Sequence, residues 1–487
     1  MPTTEPMISN TSDVRFLFGT YSMDGETPVF HGAVIYGTGF TFDPDTGLPI
    51  GGNVTHIELQ TRTEFAVQEV HAEYGGIESS VHQLNNAFAS AETPWYDPAS
   101  FFGTAFMDAN PEASWTGGAA DDVFTGTVKS DELVGRDGND TIHAGEGADI
   151  VKGQAGNDVI YGELGRDKIF GGDGFDTLYG GASKDIIYGG NGDDMIFGGA
   201  ENDSLYGNDG FDNMFGGDGK DYMKGGDGDD VMNGGNQNDT ISGDSGEDYI
   251  HGDAGNDRIN GGGDDDMIWG DDGSDTLNGA SGDDRMWGGD HYDVLNGGDG
   301  NDELYGGAGN DHMWGGEGED AMYGGLGKDN MKGGEGDDVM YGGWGHDRMT
   351  GNAGDDVMIG GGGHDQMIGG TGNDIQIGGI GNDQLSGGQG NDTFVMDASG
   401  SDGVTTVRDF TAGEDNLYLH TGDVLTAQEM FDIFSATATQ TGSSVTFDND
   451  DGNVLSLLHT SLEDITVDDF YDVDTESEEE DFLLGFL

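Results

Sequence analysis

The chain of 487 residues has no cysteine, which excludes a disulfide framework and any thiolate zinc or iron–sulfur site. Basic residues are scarce: 16 Lys and Arg stand against 96 Asp and Glu, a formal net charge of -80. Phosphate backbones and bare anionic lipid would be repelled, so no nucleic-acid partner is expected. Hydrophobic residues make up only 33% of the chain, and no apolar run approaches the ~20 residues of a membrane span. No basic start followed by an apolar stretch opens the sequence at Met1 to Arg15, so no cleaved leader is expected. Proline is confined to the front, with all eight at or before Pro111.

Glycine is abundant instead, at 95 residues. Acidity with low hydrophobicity is the composition of disorder, unless a cation is part of the fold. The order of the residues favours the cation. From Gly117 to Val395 a nine-residue frame runs unbroken through 31 nonapeptides, typified by Gly171-Gly172-Asp173-Gly174-Phe175-Asp176-Thr177-Leu178-Tyr179. The sixth place is aspartate in all 31, the eighth is apolar in all but Gln376, and the first is glycine in all but Ala144. Glycines at places one, two and four suit a turn with φ > 0 and close approach of chain segments. The residues after the aspartate favour a short strand, whose eighth side chain faces opposite to the seventh and ninth. One turn and one strand make a nonapeptide, and two nonapeptides should close a coil that stacks like places every 18 residues.

Stacked carboxylates repel unless a hard divalent cation lies between coils, and calcium, with six to eight oxygen ligands, suits carboxylates and backbone carbonyls better than magnesium does. The candidate ligands are Asp140, Asp149, Asp158, Asp167, Asp176, Asp185, Asp194, Asp203, Asp212 and Asp221, then Asp230, Asp239, Asp248, Asp257, Asp266, Asp275, Asp284, Asp293, Asp302 and Asp311, and finally Asp320, Asp329, Asp338, Asp347, Asp356, Asp365, Asp374, Asp383 and Asp392. At most about 29 Ca2+ ions would bring the charge from -80 to about -22. Fewer are expected, because the glycine at place four is replaced in seven nonapeptides, by Ala120, Lys129, Ser183, Glu201, Gln237, Asp264 and His291.

The unit GGxGxDxUx (U apolar), as in Gly297-Gly298-Asp299-Gly300-Asn301-Asp302-Glu303-Leu304-Tyr305, resembles the RTX calcium-binding repeat. The resemblance implies a mostly β chain built on a long right-handed parallel β-roll with calcium between turns. It also implies export by a type I secretion machinery without a cleaved leader, and hence an extracellular or cell-surface location.

Splitting the nonapeptides by parity separates the two sheets of such a roll. On one, nine of sixteen ninth places are aromatic, among them Tyr161, Tyr179, Trp269, Trp287, Tyr305 and Tyr323, against four of fifteen on the other. Cross-strand stacking, worth about 0.2–1 kcal/mol per pair, is one reading of this strip. A docking face for a protein or glycan partner is the other. The inner eighth places hold 11 methionines, which suit a thin, irregular core.

Four segments follow: 1–116, a small strand-rich domain; 117–395, the roll; 396–470, a β-rich cap; and 471–487, an acidic tail similar to some type I secretion signals. Strands are expected at Val14–Phe18, Ala33–Tyr36 and Val54–Leu59, with a helix near Ser79–Ser90. Val404 to Leu419 resembles the segment that closes RTX rolls. His31, His56, His71 and His82 read as scattered domain histidines rather than a metal site. Neither HExxH nor GxSxG occurs, and Glu69-Val70-His71-Ala72-Glu73 has the wrong spacing. No catalytic residue is assigned, and a non-enzymatic structural or adhesive role is expected. A hydrolase or lyase within 1–116 is the alternative, and a pore-forming toxin would need long apolar helices that the sequence lacks.

Overall fold

A computed structural model describes residues 14–24, 27–42, 49–63 and 66–77 as backbone, and 114–397, 403–420, 425–449 and 453–471 with side chains. It divides into two compact units, Met1–Ile187 and Tyr188–Leu487.

In the first unit, β1 (Val14–Asp24), β2 (Thr27–Phe42), β3 (Pro49–Thr63) and β4 (Ala66–Ile77) form an antiparallel sheet in sequence order. The three expected strands fall inside β1, β2 and β3, and β4 is an addition. The expected helix near Ser79–Ser90 and the acidic tail from residue 472 lie outside the described residues. From Ser114 the same unit turns to parallel pairing with the strand 18 residues on: Phe124 pairs with Ile142, and Ile142 with Ile160. Ser114–Thr116 already pairs with Glu132–Val134, so roll pairing starts three residues ahead of the first full nonapeptide.

The second unit repeats this geometry. Met286 pairs with Ile268 and Leu304, while the intervening strands pair among themselves, as Leu277 does with Ile259 and Leu295. Alternate strands thus belong to two sheets, and the nonapeptides amount to a parallel β-solenoid of about 16 turns. Eighth-place side chains such as Leu205, Met214, Met313 and Met358 are wholly buried between the sheets, and most ninth-place side chains lie on the outside, although Ile359, Ile377 and Val395 near the end of the repeats are buried too. That alternation is the period-two pleat of a strand.

Parallel stacking ends in the second unit. Val404–Val407 still pairs in parallel with Asn382–Leu385, and Asn453–Leu457 in parallel with Gly403–Val407, but Ser444–Asp448 then pairs antiparallel with Asn453–Leu458, so the stack stops growing. Helix α1 (Ala427–Thr437) lies in this cap and was not expected from the sequence. Thr426 caps it with a reciprocal bond to Glu429, while Met430 and Phe434 are buried and Phe434 stacks on Phe447 at 5.4 Å. A buried apolar face outweighs the modest helix propensity of so short a segment.

Candidate metal centre

The turn of each nonapeptide brings an aspartate inward. Places two and four take left-handed backbone, as at Gly172 (φ 130°) and Gly174 (φ 141°). Place one does not. Its glycine is required by close approach: a Cβ on Gly153 would stand 2.0 Å from Asp158 Oδ2 and 2.6 Å from the carbonyl oxygen of Gly171. Asp302 Oδ2 and the Gly315 carbonyl crowd Gly297 in the same way, at 2.0 and 2.6 Å. The first glycine therefore keeps open a cradle shared by a carboxylate of its own nonapeptide and a carbonyl of the next coil.

All 29 candidate aspartates occupy such turns, and each is no more than 2% exposed. Within each unit they form ladders along the roll. The backbone N–H of Asp140 donates to Oδ1 of Asp158 (2.7 Å), that of Asp230 to Asp248 (2.8 Å) and that of Asp266 to Asp284 (2.8 Å). Oδ1 is thereby used. The Oδ2 atoms of Asp140, Asp149, Asp158, Asp230, Asp248 and Asp266 are buried and accept no hydrogen bond.

Such burial disfavours the charged form and lifts these carboxyls: Asp140 and Asp212 to about 6, Asp149 and Asp176 to about 7, Asp230, Asp239, Asp266 and Asp356 to about 8. The N–H donated from the neighbouring coil pulls the other way, and surrounding carboxylates push further up. Unpaired buried oxygens beside backbone carbonyls, with no nitrogen or sulfur in the set, suit a hard cation. The residues present fit calcium, with Oδ2 and the carbonyls as the oxygens left to hold it.

The ladder ends differ from its rungs. Asp122 and Asp131, not among the candidates, turn Oδ2 to the N–H groups of Gly118 (2.7 Å) and Thr127 (2.6 Å). At the far end Asp415 takes a rung that sequence reading missed. Its Oδ1 accepts the Asp392 N–H (3.1 Å), its Oδ2 accepts from Thr411 (2.7 Å), and burial lifts its carboxyl to about 6. The signal was present in the closing segment, but Asp415 stands 23 residues after Asp392 instead of 18.

On the outer face the aromatic places form ladders of their own. Tyr161 stacks on Tyr179 at 4.8 Å in the first unit. In the second, His251, Trp269, Trp287, Tyr305 and Tyr323 stack in succession at 4.6 to 5.5 Å, with planes within 8°. Ring faces meet ring faces and the edges look outward.

Among known proteins, the family model described as the RTX calcium-binding nonapeptide repeat matches in overlapping stretches that run without a gap over residues 116–394. No curated protein matches the chain. Among solved structures, the crystal structure of the extracellular lipase LipA from Serratia marcescens is 19% identical, over 48% of this chain and 39% of that one, with a TM-score of 0.18.

Proposed function

The chain belongs to the RTX calcium-binding nonapeptide repeat family, whose model spans 279 of its 487 residues, and from this premise we propose a secreted protein that folds on meeting extracellular calcium and serves a structural or adhesive role at a surface or in a matrix. One observation carries the reading: ladders of buried aspartates whose Oδ2 atoms accept no hydrogen bond. Ionised carboxylates in such positions oppose folding, and a cation that binds only the folded roll reverses this by mass action. In a low-calcium cytosol the chain stays unfolded, the state that passage through a type I machinery requires. Outside the cell, calcium orders the coils.

Stacking occupies the ring faces of the aromatic ladder, which a sugar ring would need, so a protein surface suits the outward edges better than a glycan. We assign no catalytic step to the roll. The alternative places a hydrolase or lyase within 1–116.

The test is circular dichroism of the full chain during a calcium titration, with fractionation of cultures that carry or lack the export machinery. At pH 7.5, strand signal should form only with calcium, and the protein should reach the medium only with the machinery. Full strand content in chelator at pH 7.5 would sink the folding claim, and transporter-independent release would sink the export claim. Loss of a hydrolytic or lyase activity on deleting 1–116 would favour the alternative.

A further inference from the structure

One group of donors lies apart from the calcium ladders. At place two, usually glycine, Asp253 and Asp271 stand with φ of 64° and 67°. They occupy equivalent places one coil apart, and His251 at place nine reaches them: its Nδ1 is 2.7 Å from Asp271 Oδ2. One ligand atom from each of the three residues lies within 4.8 Å of the other two, the one such trio among the described residues. All three residues are half-buried. The imidazole is held by Trp269, whose ring stacks on it at 4.6 Å and 6°.

A plain ion pair does not account for the trio. The same 20-residue step joins a base at place nine to an acid at place two in His143–Glu163 (2.9 Å) and Lys224–Asp244 (2.5 Å). Two residues beyond the base those pairs have Gly145 and Gly226, and no second carboxylate. Here that place is Asp253, which adds a second left-handed aspartate and a second negative charge to a pair that needs neither. Three donors of mixed type, drawn from adjacent coils, are what a metal ion uses.

We propose that His251, Asp253 and Asp271 bind a first-row divalent cation, zinc foremost, independently of the calcium sites. Calcium takes oxygen ligands, whereas imidazole with carboxylates suits zinc. Tetrahedral donors about 2.1 Å from zinc are about 3.4 Å apart, so Nδ1 and Oδ2 open by under an ångström and Asp253 closes in. A fourth position stays open to water. The ion ties two successive coils together on the outer face.

The experiment uses the full chain folded in saturating calcium, which fills the oxygen sites and shows by its strand signal, before any zinc is added, that the roll has formed. Zinc binding is followed by calorimetry, and cobalt binding by quenching of tryptophan fluorescence through the Trp269 stack. One zinc site is expected, weakened at least ten-fold in Asp253→Asn and in His251→Gln and unchanged in His143→Gln. Asp253→Asn is decisive because it leaves the His251–Asp271 pair intact, with Asp271→Asn as the substitute if that variant fails to fold in calcium. Absence of a zinc site, equal affinity in Asp253→Asn, or an equal loss in His143→Gln would overturn the proposal.

Discussion

Withdrawing calcium while lowering the pH should fold the roll with protons in place of ions. An unfolded aspartate ionises near 3.9, whereas burial raises the ladder carboxyls to about 6 to 8. A raised folded-state value means that the ion-free fold is favoured at low pH and loses that support as pH climbs through the folded values. A tenfold change in proton affinity is worth about 1.4 kcal/mol, so Asp149, raised from 3.8 to about 7, withdraws about 4 kcal/mol by neutral pH. Typical domain stability is about 5–15 kcal/mol, so three or four such carboxyls cancel it. The ladders carry many more, including Asp176, Asp248, Asp302, Asp338 and Asp374, each at about 7. Going from pH 7.5 to 5 should return about 2–3 kcal/mol for each of them. In chelator, far-UV circular dichroism and tryptophan fluorescence should therefore show an unfolded roll at pH 7.5 and an ordered one near pH 5. The titration stops short of the isoelectric point of about 4.1, where the chain would precipitate. An unchanged strand signal between pH 7.5 and 5 in chelator, whether present or absent throughout, would refute the reasoning.

Asp266→Asn keeps an oxygen to accept the Asp248 N–H but removes a charge whose carboxyl is lifted to about 8. It should ease ion-free folding at pH 7 by at most about 4 kcal/mol and lower the calcium stoichiometry, both read by calorimetry. Gly153→Ala forces a methyl to within 2.0 Å of Asp158 Oδ2 and should destabilise the calcium-loaded roll by about 3 kcal/mol or more in thermal melts. Gly442→Ala, with φ of 65° and nothing within 4 Å, should cost only about 1–2 kcal/mol in the same assay. Gln376→Met should raise the melting temperature by removing a buried Oε1 that has no partner, a gain of about 1–2 kcal/mol, even though the bond from Nε2 to the Ser386 carbonyl is lost. An unchanged or lower melting temperature would count against that account of Gln376.

Periodicity made the roll legible because each rule acts within nine residues: a turn, an inward aspartate, an inward apolar side chain. Leu205, Met214 and the other eighth-place residues are buried for the reason their spacing implies, and the parity of ninth places does separate two sheets. What escaped reading depends on contacts between distant residues. Asp415 joins the ladder across a stretch five residues too long for the frame, so counting in nines steps over it. Helix α1 owes its place to Met430 and Phe434 meeting the cap, with Phe447 and Phe470 against Phe434, and no local pattern encodes those partners. The trio at His251 escaped for a further reason: its members break the repeat singly, and only stacking brings the three departures together.

The tolerance of each glycine place points to what the composition serves. At places two and four the chain accepts Arg136, Gln154, Glu163, Asn208, Glu201 and His291 in left-handed backbone, each at about 1–2 kcal/mol. If turning were the main demand on glycine, these would be the strict places. Place one is strict instead, with a single exception at Ala144, although its backbone at Gly153 and Gly297 is not left-handed. There the neighbour of the missing side chain is Oδ2 of the ladder aspartate, the atom that accepts no hydrogen bond from protein. A methyl at that place would move the oxygen a cation needs, and turn geometry would be unaffected. On the proposed reading the most restricted glycines thus line the ion site, and within the repeats the glycine and the aspartate serve one cause.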